Sequence, residues 1–408
     1  MMKRVLQISL RADPLNPLDG GETGGQQVIV RQMGRNLQHL GYAVDIITLR
    51  QQDHLPERYS FGHLGQVIRL TGWEGRLSSD EDWHRNQDAI IQQALTWIRE
   101  QHREYHIIHS HFWISGMVAV RLAHELGLPW IHSPYKMGQW IMRPGDEVSS
   151  IRLQTERQLI EQAQGVVVPY LKESEMIHQM APKVPIYVVP PAVDITNFFV
   201  RDAGPLLRGL GLNKPPILYV GRLNKGRGIQ EVLEVMTRSS LPPDLTLLVI
   251  GGGPGEVVDG QPTNPTLRSL AEKLNGHVRF LGPMPHHAIA TYMGSATVLI
   301  APNQGATLGM AVIEAMASGC AVVGTNVPGV EDWIEPGFTG ILVERSRIDQ
   351  LWQNALELWQ TPNRARQMGT NGQEIIQRHH TVNHMAQRLH VVYEEVASSG
   401  RHQAGVGY

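Results

Sequence analysis

A chain of 408 residues is too long for one ordinary hydrophobic core, so two domains, or three, are expected. With 42% hydrophobic and 18% charged residues it is expected to fold, and 36 Lys plus Arg against 38 Asp plus Glu leave none of the basic excess of a nucleic-acid binder. Any phosphate ligand must then be held by local groups. The single cysteine, Cys320, excludes an intramolecular disulfide and a cysteine-based metal cluster; in its apolar run it reads as a small buried hydrophobe.

The N-terminus places basic residues before apolar ones, but the apolar stretch is short and Arg11 and Asp13 follow at once. A first β-strand fits better than a signal peptide. No window approaches eighteen consecutive apolar residues, so no transmembrane helix is expected and the expected location is cytoplasmic. Short apolar runs then recur at Val5–Leu10, Ala43–Leu49, Gln66–Leu70, His106–His109, Pro129–His132, Gly165–Pro169 and Ile186–Val189. Between them Gln27–Leu40, Ala89–Glu100, Gly116–Leu126 and Arg152–Gln164 have helical spacing. Strands alternating with helices predict βαβ units and a parallel sheet.

Val188–Asp194 and the irregular Ile195–Lys214 read as a linker, after which the same grammar restarts. Strands are predicted at Ile217–Val220, Leu245–Ile250, Val278–Leu281, Thr297–Ala301 and Cys320–Gly324. Helices are predicted at Ile229–Thr237, Ala288–Met293, Ala311–Ser318 and Arg347–Trp359. Thr381–Ser398 reads as an amphipathic helix, and Gly400–Tyr408 as a disordered tail. The expected fold is α/β, with two facing doubly wound, Rossmann-like domains and ligands at the carboxyl ends of the strands. The expected boundaries are 1–190, 191–380, and a C-terminal helix and tail at 381–408 that packs back on the first domain.

Four segments carry possible chemistry. Gly20–Gln26, between the first strand and the helix from Gln27, offers close backbone approach and a helix N-terminus to an anion, or is only a tight turn. Gly221–Gly228 sets Arg222, Lys225 and Arg227 among glycines directly after a strand, which suits two adjacent phosphates; a solvated basic loop is the bland alternative. Gly305–Gly309 opens a helix whose only carboxylate, Glu314, sits one to two turns in, so backbone N–H groups can meet a diphosphate and the carboxylate ribose hydroxyls. His109 and His111 project to the same face of a strand, but no third ligand lies nearby, so no metal is expected.

Together these segments resemble the retaining, two-domain family 4 glycosyltransferases of GT-B fold, over about residues 3–397. Thr23–Gln26 looks like the acceptor-domain loop of the sucrose-phosphate synthase and sucrose synthase groups. His109–Gly116 is similar to that region in the same groups and in the mycothiol-pathway group. Val220–Arg222, Arg279–Gly282, Ala301–Pro302 and Glu314–Met316 match the family's nucleotide-binding half. The resemblance implies that Arg222 binds the donor diphosphate, with Arg227 standing where the family usually has Lys and Lys225 beside it. It gives phosphate contacts to Leu308, Gly309 and Met310, ribose contacts to Glu314, and catalytic roles to Arg222, Arg227 and Glu314. Gly25, Gln26 and His111 would line the acceptor side, and Arg152 would bind an acceptor phosphate. The donor sugar falls to Tyr135, Ala306 and Thr307. Two departures matter here: Tyr135 replaces a family histidine, and Ala306 the first of two glutamates eight positions apart, so donor identity is open.

The function so implied is metal-independent, retaining transfer of a hexosyl group in the cleft between the domains. The donor is a nucleoside diphosphate sugar, UDP-glucose first, and the acceptor a small phosphorylated one, fructose 6-phosphate in the leading reading and inositol phosphate or lipid otherwise. No cofactor, nucleic acid or integral membrane segment is expected. A sugar-nucleotide-binding protein without turnover is the rival that Tyr135 and Ala306 suggest. A dinucleotide-dependent oxidoreductase is disfavoured, because no strand-linked Gly-x-Gly-x-x-Gly precedes a suitably spaced acid.

Overall fold

The computed structural model describes residues 2–16, 24–71, 77, 79–135, 137–141 and 148–404, with the backbone alone at 140, 141 and 400–404. Gly20–Thr23, Lys136 and the last four residues of the tail lie outside the described residues. The chain divides into two compact units, one built from Met1–Asn16, Gly25–Pro190 and Val382–Tyr408, the other from Pro191–Thr381.

The strands of the first unit are β1 (Arg4–Ile8), β2 (Ala43–Leu49), β3 (Arg58–Ser60), β4 (Gly65–Leu70), β5 (Ile107–His111), β6 (Trp130–Ser133), β7 (Gly165–Val168) and β8 (Ile186–Val188). Its helices are α1 (Gly24–His39), α2 (Asp80–Glu100), α3 (Trp113–Leu126), α4 (Gly138–Ile141), α5 (Ser150–Gln162) and α6 (Leu171–Met180). The sheet order is β3-β4-β2-β1-β5-β6-β7-β8, parallel throughout except that β3 runs antiparallel to β4. Both faces of the central strands are covered, and every residue of β2 is buried, which is why these strands are continuous apolar runs. On one face α2, α3, α5 and α6 pack Ile90, Trp113, Leu122, Ile160 and Ile177 against Leu6, Ile8, Ile108 and Val166.

The second unit holds α7 (Gly204–Leu210), β9 (Ile217–Gly221), α8 (Ile229–Met236), β10 (Leu247–Gly251), β11 (Val257–Val258), β12 (Gln261–Pro262), α9 (Pro265–Lys273) and β13 (Val278–Gly282). It continues through α10 (His286–Met293), β14 (Val298–Ala301), α11 (Met310–Ala317), β15 (Ala321–Thr325), β16 (Gly340–Val343), α12 (Ile348–Gln360) and α13 (Pro362–His379). Six strands form a parallel sheet in the order β13-β10-β9-β14-β15-β16; β11 and β12 pair separately. Alternation decides the faces: Ile217, Tyr219, Val249 and Ile300 join the core that α8, α9 and α12 cover. Leu218, Leu248, Ile250 and Leu299 face that of α10 and α11. The stretch Ile195–Lys214, expected to be irregular, contains α7, which starts with a proline in its first turn and ends on Gly211 in the left-handed conformation.

The last helix, α14 (Val382–Ala404), belongs to the first unit. Tyr42 Oη lies 2.7 Å from His390 Nδ1 and donates to Glu394 Oε1 at 2.9 Å, and Tyr393 Oη reaches His109 Nδ1 at 2.8 Å. Cys320 is buried, and burial pushes its thiol up to about 12. No described helix is long and apolar enough to cross a membrane.

Candidate active site

In a doubly wound sheet the ligand crevice lies where the strand order reverses. In the second unit that point is between β9 and β14, which pair through Ile217–Val298 and Leu218–Leu299. The chain leaves β9 into the loop carrying Arg222, Lys225 and Arg227, and leaves β14 into the loop 302–309, so the sheet brings both motifs together. Arg227 Nη1 donates to Thr307 Oγ1 at 3.3 Å and the Gln304 amide to the Gly226 carbonyl at 3.0 Å. Tyr219 Oη donates to the Arg222 carbonyl at 2.6 Å, fixing the start of the basic loop. Arg222 and Arg227 are half-buried, whereas Lys225 is exposed.

Both loops open helices on glycine. Gly228 precedes α8 at φ +77°, and a Cβ there would sit 1.8 Å from the Pro302 carbonyl oxygen. Gly309 precedes α11 at φ +68°, where a Cβ would meet the Gly329 carbonyl oxygen at 2.0 Å. Neither helix has a side-chain N-cap. Two helix N-termini on opposite faces of the sheet, with cationic side chains beside them, form a ready site for an anion with two phosphates. Leu308 is buried, Met310 is the first residue of α11, and Ala306 and Thr307 are half-buried beside them.

Glu314, the fifth residue of α11, is buried, and its Oε1 lies 2.7 Å from Nε2 of His286 at the start of α10. His286 has no counterpart among the sequence-derived site residues. The apolar neighbours of Glu314 foretold its burial, and a buried carboxylate needs a partner, but nothing in a spacing of 28 residues names it.

In the first unit the order reverses between β1 and β5. Leu10 N donates to Ser115 Oγ at 3.0 Å, tying the end of β1 to α3. The loop after β1 is held by a buried ion pair, Arg69 Nε to Asp13 Oδ2 at 2.6 Å, and by Arg31 Nη2 on the Asn16 carbonyl at 3.0 Å. Gln26 Nε2 donates to the His111 carbonyl at 3.4 Å, and Tyr135 Oη lies 3.1 Å from His111 Nδ1. Gln26, His111 and Tyr135 therefore form one cluster, with Gly25 half-buried in the first turn of α1. Phe112, directly after β5, and Tyr135, two residues after the end of β6, have φ values of +73° and +44°. Strain of this kind in bulky residues collects at functional sites.

The histidine pair is part of a larger group. The rings of His109 and His111 are 4.2 Å apart, His109 Nε2 is 2.9 Å from Ser133 Oγ, and His132 Nδ1 is 2.8 Å from Ser110 Oγ. Burial, aided by mutual repulsion, holds His109 well below the usual imidazole range and lowers His111 to about 3; burial alone lowers His132 to about 3. All three are thus neutral. His111 Nε2 and His132 Nε2 have no hydrogen-bond partner among the described residues. His132 is a third histidine that spacing did not bring near the pair; even so, no described group of three His, Cys, Asp or Glu residues is placed to hold a metal.

Arg152, read as an acceptor-phosphate ligand, donates through Nε to Glu156 Oε1 at 2.7 Å, and its guanidinium carbon lies 5.2 Å above the Phe112 ring. Glu156 also accepts from Gly138 N at 2.7 Å; its burial raises the carboxyl pKa, and Arg152 opposes that shift.

Two parallel-sheet Rossmann-like units in one chain are the architecture of the GT-B glycosyltransferases. The chain matches the family "Glycosyl transferases group 1" over residues 208–375 and "Glycosyl transferase 4-like domain" over residues 24–192. It belongs to this glycosyltransferase family and is a glycosyltransferase. A D-inositol 3-phosphate glycosyltransferase of Corynebacterium urealyticum is 30% identical over 369 residues, covering 86% of each chain. One from Kribbella flavida is 28% identical, covering 85% of each. Among solved structures, sucrose-phosphate synthase from Thermosynechococcus elongatus superimposes with a TM-score of 0.85 at 24% identity, over 97% of this chain and 100% of that one. Anabaena HepE in complex with UDP and glucose gives 0.72 at 16%, over 97% and 100%.

Proposed function

We propose that the enzyme moves a hexosyl group from a nucleoside diphosphate sugar, UDP-glucose being the first donor to test, to a hydroxyl of a small phosphorylated sugar or polyol. One observation carries this reading: two glycine-led helix N-termini meet at the switch point of the second unit beside Arg222 and Arg227. The HepE complex with UDP and glucose supports a uridine donor. The curated relatives favour an inositol phosphate acceptor, and the structural likeness to sucrose-phosphate synthase keeps fructose 6-phosphate beside it.

In the proposed reaction the bond between the anomeric carbon and the diphosphate oxygen breaks, and the acceptor oxygen bonds to that carbon on the same face. The acceptor proton leaves with the diphosphate. Arg222, Lys225, Arg227 and the N–H groups of Leu308, Gly309 and Met310 offset the charge growing on the leaving group. Glu314, oriented by His286, takes the ribose hydroxyls, and these cations make a divalent metal unnecessary. The first unit supplies Gln26, His111 and Arg152 to the acceptor.

The test is turnover of radiolabelled UDP-glucose with inositol 3-phosphate, fructose 6-phosphate and their unphosphorylated forms, with and without exhaustive chelation. The expected result is product from a phosphorylated acceptor alone, unchanged by chelation. Equal use of an unphosphorylated acceptor, or activity restored only by added metal, contradicts the reading.

A further inference from the structure

A buried polar seam between the sheet of the first unit and α14 ends on His111. Tyr393 Oη of α14 lies 2.8 Å from His109 Nδ1, His109 Nε2 lies 2.9 Å from Ser133 Oγ, and Tyr135 Oη lies 3.1 Å from His111 Nδ1. Ser133 is placed to donate to the Tyr135 oxygen, which joins the two halves. Each of these side chains belongs to a residue at most 5% exposed.

Burial keeps both histidines neutral, so each ring has one N–H and one bare nitrogen. Each hydroxyl likewise gives one hydrogen. Such a chain is fully bonded when its hydrogens all run one way. Outward, Tyr393 donates to His109 Nδ1, His109 Nε2 to Ser133, Ser133 to Tyr135, and Tyr135 to His111 Nδ1. Inward, both histidines would donate to tyrosine oxygens. A phenol is the more acidic donor and an imidazole nitrogen the more basic acceptor, so both Tyr–His contacts favour the outward sense.

We propose that this seam fixes the tautomer of His111, with its hydrogen on Nε2, and that Tyr135 is the positioning residue through which His111 meets the acceptor as a hydrogen-bond donor. The bond made by one ring nitrogen decides which nitrogen carries the hydrogen. His111 closes β5 at the carboxyl end, beside the switch point where ligands of such sheets sit. Nε2 there has no hydrogen-bond partner among the described residues, and a buried N–H calls for a ligand oxygen. The inference rests on the acceptor reading above and restricts it. A bare Nε2 would take the acceptor proton as a base, whereas an N–H orients the acceptor oxygen and leaves its proton to depart with the diphosphate.

Neutron diffraction from deuterated crystals of the full chain locates the hydrogen without any variant. Deuterium is expected on His111 Nε2 and on Tyr135 Oη; deuterium on His111 Nδ1 would overturn the proposal. Kinetics with UDP-glucose and inositol 3-phosphate test the consequence. Tyr135→Phe keeps a ring nearly parallel to that of His111, at 13° between planes, and loses only the hydroxyl. It should raise the acceptor Michaelis constant about fivefold, the worth of one neutral hydrogen bond, and more than it lowers kcat. His111→Gln, whose amide reaches the Nε2 position, should keep more acceptor affinity than His111→Asn, whose amide reaches only the Nδ1 position. Deuterium on Nε2 with no turnover of this acceptor would refute the acceptor reading and leave the tautomer standing. An unchanged Michaelis constant in Tyr135→Phe would overturn the proposal. So would a loss of about a hundredfold or more in kcat in His111→Gln, the mark of a missing base.

Discussion

Replacing Gly309 with alanine tests the donor loop where its backbone is tightest. Gly309 has φ +68°, and an L-residue in the left-handed region costs about 1–2 kcal/mol. Its Cβ would stand 2.0 Å from the Gly329 carbonyl oxygen and 2.5 Å from Trp333 Nε1, whereas ordinary contact starts at 3.4 Å. Either the Gly329 turn or the first turn of α11 must therefore retreat, and overpacking of this kind costs about 1–3 kcal/mol more. The total is about 2–5 kcal/mol. Gly337→Ala is the control: its φ is +80°, but nothing lies within 4 Å of the added Cβ, so it should lose only about 1–2 kcal/mol. Denaturant titration and calorimetric binding of UDP measure both effects. Gly309→Ala should be the less stable variant and lose UDP affinity at least about tenfold, since the N–H groups it displaces are those proposed to meet the phosphates. Equal stabilities for the two variants, or wild-type UDP affinity in Gly309→Ala, would refute the argument.

The buried histidines make stability depend on pH. Their folded pKa values lie below the ordinary 6.5, so the unfolded chain binds more protons; their contribution is complete above about pH 6.5 and is lost as pH falls toward about 3. Each can remove about 1.4 kcal/mol per pH unit in that window. Denaturant midpoints should therefore fall steeply between pH 6.5 and 4.5, and a flat profile would count against three neutral histidines. Arg152→Ala should do more than weaken an acceptor: it strands the buried Glu156 carboxylate, at a cost of about 3–5 kcal/mol. Arg152→Ala/Glu156→Gln should recover most of that stability but not the acceptor Michaelis constant. Recovery of both would make Arg152 purely structural.

The central strands are legible because they are buried on both faces and so appear as apolar runs, whereas β16, half-buried at Ile341 and Leu342, is not among the strands expected. Leu245–Ile250 was expected and Leu247–Gly251 is found; Ala311–Ser318 was expected and Met310–Ala317 is found. β3 gives no apolar signal because all three of its residues are exposed, and α13 a weak one because eleven polar or charged side chains dilute its apolar stripe. In the second unit the two loops that carry the phosphate motifs were identifiable from glycine and cation content, and the sheet order explains why they meet. Pairings across long sequence separations were not visible: His286 with Glu314, Tyr393 with His109, and Tyr135 with His111. Each satisfies a buried polar group, a demand that sequence announces without naming the partner. Tyr135 is the instructive case. The resemblance assigns it, as a substitute for a family histidine, to the donor sugar, and the structure adds a buried hydroxyl within hydrogen-bond distance of His111.

The central claim is that the cationic loop after β9 and the glycine-led start of α11 together hold a nucleoside diphosphate. Calorimetric titration of UDP into the wild type and into Arg222→Ala tests it most directly. Arg222 is half-buried beside the switch point, so losing its charge-assisted contact should cost about 2–5 kcal/mol, about thirtyfold or more in affinity. A folded Arg222→Ala protein that binds UDP as tightly as the wild type would contradict the account.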